Sequence, residues 1–443
     1  MRAIIVGAGP AGLFTAIALA RRGSEVALVD RDPGPPATGT WHRKGVMQFH
    51  HAHTLRGPVV DALRAEMPDV LADLVAAGAV VADAPDGRPA ALLCRRATFD
   101  AALRRIADGE PGISLHTGHV DGLDRWHGRV RGVTLPGRAL TGDVVIDASG
   151  RASRLTADVR PPADGSDCGA VYIDRQYRFH EDGPTVPVNS PIGLTLSFAG
   201  YFAIGFLHDD RTFSITLAHD GTDRRLLELR HTDVFEAAVG AIPRLSEWID
   251  PRHAQPIAPV RPGGKLVNGY RGQLDSAGRP ATPGMISVGD AVCTTTPLAG
   301  RGVTLALAQA RAMLGALDHY GGDIDSATMQ FDQWCTENIR PWFDDHVHAD
   351  GDRLRRWSGG DVDVTRRLPS DLVVAAAAST QADDTLRCAV EPYARMDALP
   401  ASLDAVEPRA REIFAAGWRP AVADGPSRAE LADLCDARRD GAA

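Results

Sequence analysis

Residues 2–30, RAIIVGAGPAGLFTAIALARRGSEVALVD, constrain this chain more than any other stretch. Ala3, Ile4, Ile5 and Val6 form a short apolar run, the pattern of a parallel strand buried on both faces. Gly7, Gly9 and Gly12 follow at G-x-G-x-x-G spacing, and Pro10 and Ala11 open a helix. Gly7 permits a tight turn, Gly9 lets backbone approach a pyrophosphate, and Gly12 lets the helix press on the strand. The helix start offers free N–H groups and a partial positive charge to phosphates. Arg21, Arg22 and Gly23 suit the helix end. A second strand over 25–29 ends in Asp30, 18 residues past Gly12, where an acid can accept hydrogen bonds from a ribose diol. The glycine motif alone is weak. With strand, helix and acid in place it predicts a dinucleotide site, the alternative being a βαβ unit that binds nothing.

The 443 residues suffice for two or three domains. A net charge of -9 with no separate basic domain argues against nucleic acid as a partner. Six cysteines show no C-x-x-C and no metal-ligand pattern, which predicts free thiols in a reducing compartment. The first strand begins at residue 2, leaving no room for a signal or transit peptide. No apolar run approaches the ~20 residues of a membrane span. A soluble, cytoplasmic protein is expected.

Along the chain, 31–40 reads as loop, and 41–55, WHRKGVMQFHHAHTL, is dense in His, Arg and Gln. His50, His51 and His53 lack a carboxylate or cysteine at ligand spacing, so hydrogen bonding to a cofactor or a neighbouring loop is expected rather than a metal. Residues 55–81 look helical. Arg95 and Arg96, which either bind phosphate or face solvent, precede a helix over 99–107 with Thr98 as N-cap. Strand-like runs follow at 114–117, 120–126 and 130–135, with His127 and Gly128 at a hairpin turn, then at 143–148. From 161 the character changes to aromatic-rich strands at 170–179, 194–207 and 212–219, with a helix over 235–248. This predicts an antiparallel sheet inserted into the first domain. Its aromatics either line an apolar pocket or fill the core. A buried strand over 285–288 ends at Gly289 and Asp290, a helix spans 303–319, and the chain from about 330 is mostly helical with a loose last dozen residues. Breaks fall near 358–360 and 398–400. The expected division is 1–158 and 284–345 for the first domain, 159–283 for the insertion and 346–443 for a helical C-terminal region.

Three blocks stand in order: GAGPAG at 7–12, DASGRASR at 147–154 and GDAVCTTTPLAGRG at 289–302. Their order and spacing resemble the FAD-dependent monooxygenases of the aromatic hydroxylase and epoxidase type, over roughly residues 1–345. The stretch RKGVMQFHHAHTL is similar to a block of bacterial natural-product epoxidases and hydroxylases. The resemblance implies an α/β fold: a Rossmann-type FAD-binding domain of the glutathione-reductase-like kind, an inserted antiparallel-sheet substrate domain and a helical C-terminal region. It implies that Gly7, Gly9, Pro10, Ala11, Gly12 and Asp30 bind the ADP half of FAD, with Arg31, Arg43, Arg96 and Val120 beside it. Gly289 and Asp290 would hold the ribityl chain, and Pro297, Gly300, Arg301, Gly302 and Val303 would lie along the isoalloxazine. Tyr201, Phe206 and Thr296 are the substrate-side candidates, and no catalytic residue is assigned.

In such enzymes reduced flavin and O2 give a C4a-(hydro)peroxide that passes one oxygen atom to a bound substrate, by hydroxylation or epoxidation. The implied substrate is an apolar, natural-product-like molecule. Ser149 stands in DASG where aromatic hydroxylases carry a DG pair that also touches NAD(P)H, so the electron donor is either NAD(P)H or a separate flavin reductase. Arg301 either binds an anionic group or faces solvent. The alternatives are a reductase or dehydrogenase of the same fold acting on C=C bonds and a non-catalytic redox sensor. The W-x-W-x-I-P signature of flavin halogenases is absent.

Overall fold

The computed structural model describes residues 1–157, 159–181, 183 and 186–441, the side chains of 438–441 excepted. β1 (Arg2–Val6) leads through the glycine turn into α1 (Pro10–Arg21), and β2 (Glu25–Asp30) returns parallel to β1. β3 (Ile113–Thr117) adds beside β2 and β4 (Val144–Asp147) beside β1. The chain then builds an antiparallel sheet from β5 (Ala170–Phe179), β6 (Gly193–Phe198), β7 (Tyr201–Leu207), β8 (Thr212–Asp220) and β9 (Ala254–Pro256). It comes back as β10 (Met285–Ser287), parallel to β4. The two sheets run β10-β4-β1-β2-β3 and β6-β7-β8-β5-β9.

Each sheet follows from its side-chain pattern. The parallel strands carry continuous apolar residues, and Ile4, Ile5, Val145, Ile146 and Ile286 are buried. The antiparallel strands alternate. Ile173 and Tyr177 of β5 join Phe213, Ile215 and Leu217 of β8 around Trp248 in one core. The opposite face of β5 carries Tyr172, Asp174 and Gln176, which contact the 47–52 segment of the parallel-sheet half. α2 (Arg96–Gly109) and α3 (Gly302–Tyr320) pack against α1, and α4 (Arg340–Trp357) lies against strands of both halves. No described helix is long and apolar enough to cross a membrane.

Several expected elements are divided. The 55–81 region is two helices, Gly57–Glu66 and Pro68–Ala76, flanked by short strands Leu55–Arg56 and Val80–Asp83. Pro68 cannot donate to the preceding turn, so it starts a new helix. Pro243 likewise separates Thr232–Gly240 from Pro243–Ile249. The single run over 194–207 is a hairpin, turning at Ala199 and Gly200. Thr98 is no cap: α2 starts at Arg96, and the Thr98 hydroxyl donates to Asp209 at 2.9 Å.

The described part of the C-terminal end is helical and docked rather than loose. α5 (Arg428–Gly441) sets Leu431, Ala432 and Cys435 into the antiparallel-sheet core, and Arg428 pairs with the buried Asp223 at 2.7 Å. Its low apolar content hid a narrow buried stripe. Leu431→Ala is therefore expected to cost about 2–5 kcal/mol, read as a lowered thermal midpoint. An unchanged midpoint would mean the helix does not dock in solution.

Candidate active site

The glycine turn closes on β4. Gly7 has φ +105° and donates to the Val29 carbonyl at 2.7 Å; a Cβ there would fall 2.4 Å from the Ala148 carbonyl oxygen. A Cβ at Gly12 would fall 1.8 Å from the Gly7 carbonyl oxygen, so α1 touches the turn it follows. A Cβ at Gly9 would meet nothing within 4 Å, because Gly9 faces a cavity of about 1020 Å³. α1 has no side chain capping its start, so its first N–H groups face that space.

Gly7, Gly9, Pro10, Ala11, Asp30, Arg31, Arg43, Arg96 and Val120 line one end of the cavity. Asp30 accepts from the Ala8 N–H at 2.6 Å and from Arg43 at 3.0 Å. Arg43 also donates to the fully buried Asp100, which takes a second guanidinium from Arg96 at 2.6 Å. Arg31, Lys44, Arg151 and Arg154 line the same cavity with no carboxylate partner among the described residues. Asp147 at the end of β4 receives the Ser149 hydroxyl at 2.6 Å and the Ser153 hydroxyl at 2.5 Å. The departure at Ser149 thus has a local reason: it caps the buried carboxylate on which the DASGRAS turn is folded.

Further along, Asp290 faces the cavity and accepts no hydrogen bond on its carboxyl from the described residues; burial raises its pKa, against Arg96 and Arg151. Gly289 stands behind it, its N–H donating to Gln309 at 2.9 Å. Pro297, Gly300, Arg301, Gly302 and Val303 line the far end. Gly300 has φ +64°, and a Cβ there would strike Thr54 at 2.7 Å, so this loop and the 52–54 segment close together.

Arg301 does not face solvent. Its guanidinium is held between the Trp342 and Tyr393 rings at 4.6 and 4.7 Å and pairs with Asp345 at 3.0 Å. It ties the cavity loop to the C-terminal helices. Gly12 lies behind the wall, shaping it. Three candidates lie off the wall altogether. Tyr201 is in the antiparallel-sheet core, stacked on Phe198 and donating to the Pro426 carbonyl at 2.5 Å. Phe206 stacks near His208, and Thr296 is buried with its N–H donating to Asn268. Alternation explains Tyr201: odd positions of β7 face the core. Met47, Gln48, Ala52, His53, Thr54 and Tyr172 line the wall instead. The dense His-Arg-Gln run was their signal in the sequence.

An anion-ready helix start, surplus cations, an unpartnered, half-buried carboxyl midway and a bare glycine loop beyond it fit FAD. The pyrophosphate suits Gly9 and the α1 N-terminus, and the flexible hydroxyls suit Asp290. Gly9→Ala is expected to weaken FAD binding at least tenfold while moving the apoprotein's thermal midpoint little. Gly12→Ala is expected to prevent folding. Equal effects from both would refute this division of roles.

His53 donates Nδ1–H to the His51 carbonyl at 2.9 Å, and its Nε2 accepts from the Arg96 guanidinium at 3.5 Å. Burial, aided by Arg96, lowers its pKa from 6.5 to about 3; burial lowers His50 and His208 to about 4. These groups bind protons in the unfolded chain before they do so in the folded one, so stability falls as pH drops from 6.5 toward 4. Thermal midpoints of the apoprotein at pH 7 and 5 should reveal the loss, reduced in His53→Gln.

The profile of the family described as FAD dependent oxidoreductase matches residues 2–110. Protein FixC of Escherichia coli (strain K12) is 29% identical over 343 residues, covering 70% of this chain and 74% of that protein. Violacein synthase of Chromobacterium violaceum is 27% identical over 372 residues, covering 74% and 80%. Among solved structures, a triple mutant of the flavin-dependent brominase Bmp2 matches with TM-score 0.63 at 16% identity, over 99% of each chain. PqsL of Pseudomonas aeruginosa in complex with 2-aminobenzoylacetate matches with TM-score 0.58 at 17% identity, over 81% of this chain and 98% of that one. Over residues 2–110 the chain is similar to the FAD dependent oxidoreductase family, and over its length it shares the fold of these flavin-dependent structures.

Proposed function

We propose that this oxidoreductase is a monooxygenase that inserts one oxygen atom from O2 into a natural-product-like organic substrate. The observation that carries this reading is the continuity of the cavity. The residues fit to hold FAD and the wall residues Met47, Gln48 and Tyr172, the last from β5, line one space. A pure electron carrier needs no such junction. Reduced FAD, when bound, supplies the electrons that activate O2 for transfer to an acceptor.

The chain's own part is to bind, orient and keep water out. Leu55 and Phe49 are buried behind the loop that closes on Gly300, and the Arg301 clamp holds the opposite loop to the C-terminal helices. The wall beside β5 is mixed rather than purely apolar, since Tyr201 points away and Tyr172 stands in its place. The names of violacein synthase and PqsL, and the latter's bound 2-aminobenzoylacetate, support a substrate of aromatic natural-product type. Arg31, Lys44, Arg151 and Arg154, without a carboxylate partner among the described residues, suit an anionic donor such as NAD(P)H. A partner flavin reductase is the other route for electrons.

The test is isotopic. Reduced holoenzyme is mixed with 18O2 and a panel of indoles, phenols and alkenes, with and without bromide. One 18O atom per product molecule is expected. Bromination without 18O, or saturation of a C=C bond under anaerobic conditions, would overturn the proposal in favour of a halogenase or a reductase.

A further inference from the structure

Met47 stands exposed in the cavity wall, at 39%, whereas Met67, Met285 and Met313 are buried. It lines the same space as Gly9, Asp290 and Pro297, and its Sδ lies 3.9 Å from the Tyr172 Oη. Tyr172 is 5% exposed, and this sulfur is the only hydrogen-bond partner of its hydroxyl among the described residues. A thioether is a weak acceptor, so the hydroxyl is poorly satisfied. Its ring is fixed in place. A Cβ at Gly263 would fall 2.3 Å from the Tyr172 Cζ, and the His51 ring stands edge-on to it at 4.8 Å. Burial, with Asp174, raises the phenol pKa against the pull of Arg151, which keeps the hydroxyl a donor.

One oxygen atom turns a thioether into a sulfoxide, which is polar and whose oxygen is a good acceptor. At Met47 that oxygen would meet a donor that lacks a strong partner. Bound FAD supplies the oxidant when its reduced form meets O2 without a substrate, because two electrons and two protons convert O2 to hydrogen peroxide. Resting on the reading that this cavity activates O2, we propose that Met47 is a modification site, oxidised to the sulfoxide by hydrogen peroxide released inside the cavity. In this step a sulfur lone pair attacks one peroxide oxygen. The S–O bond forms as the O–O bond breaks, and the other oxygen leaves with both protons as water. Sulfur loses two electrons and the peroxide gains them. A flexible apolar side chain becomes a polar one, so the wall beside Tyr172 changes character. Turnover without substrate thereby marks the chamber in which it happens.

The test reads the oxygen itself. Holoenzyme is reduced chemically without oxygen, freed of excess reductant and mixed with 18O2 in the absence of substrate. Catalase in the buffer destroys peroxide that escapes. After repeated cycles, peptide mass spectrometry measures 18O on each methionine, so sulfoxide formed from air during handling is not counted. Met1 and Met329 are 41% and 37% exposed but do not line the cavity, which makes them the controls. Met47 is expected to carry roughly tenfold more 18O than either, because its oxidant is made beside it. Apoprotein treated with dilute hydrogen peroxide should oxidise the three alike. Equal labelling of the three in the holoenzyme, or the same preference for Met47 in the treated apoprotein, overturns the assignment. An oxygen electrode follows the same mixing. Oxygen consumed with Met47 unlabelled overturns this assignment alone, and no consumption overturns the oxygen-using reading along with it.

Discussion

Everything at this site depends on how closely α1 approaches the turn before it. The Gly12 Cα sits where any side chain would strike the Gly7 carbonyl, and Gly7 lies against Ala148 of the neighbouring strand. That contact carries the uncapped start of α1 to the cavity wall at a fixed distance from Asp30 and from the turn after β4. The Ala8 N–H bond to Asp30 locks the same turn from the other side. The places proposed for phosphate and ribose and the position of the 147–154 block all follow from one packing constraint.

Electrostatics complete the cavity. Most arginines in this acidic chain are spent in ion pairs, as with the two that share Asp100. Among the described residues four cations at the cavity have no such partner, and this makes it attractive to anions despite the net charge of -9. Arg301 shows the opposite use of a cation. Stacked between Trp342 and Tyr393 and paired with Asp345, which also receives the Ser370 and Tyr393 hydroxyls, it fastens a cavity loop to helices distant in sequence.

The parts legible in the sequence were those whose physics is local. A strand, a glycine turn and a helix opened by Pro10 depend on neighbours a few residues apart, and so do β5, β8 and α3. What stayed hidden needed the third dimension. Nothing local says that Arg301 will meet Trp342 and Tyr393, or that Tyr201 will turn toward the core while Tyr172 turns toward the cavity, since both are aromatics in strands. Prolines 68 and 243 were visible breaks, but the apolar periodicity on either side of them masked two helices as one. The docking of α5 rests on three small or medium apolar residues, too few to register as an amphipathic stripe. The histidine run signalled polar contact without naming its partners, because Asp174 lies 123 residues beyond His51.

The central claim is that a single cavity holds FAD and opens onto the antiparallel sheet. The most direct measurement is a crystal structure of the holoenzyme. The claim requires the adenosine end at Asp30, the pyrophosphate at Gly9, the ribityl chain on Asp290 and the isoalloxazine beside the 297–302 loop, with its reactive side toward Tyr172 and the 47–54 segment. A flavin bound elsewhere, or one whose ring is walled off from β5, would contradict it.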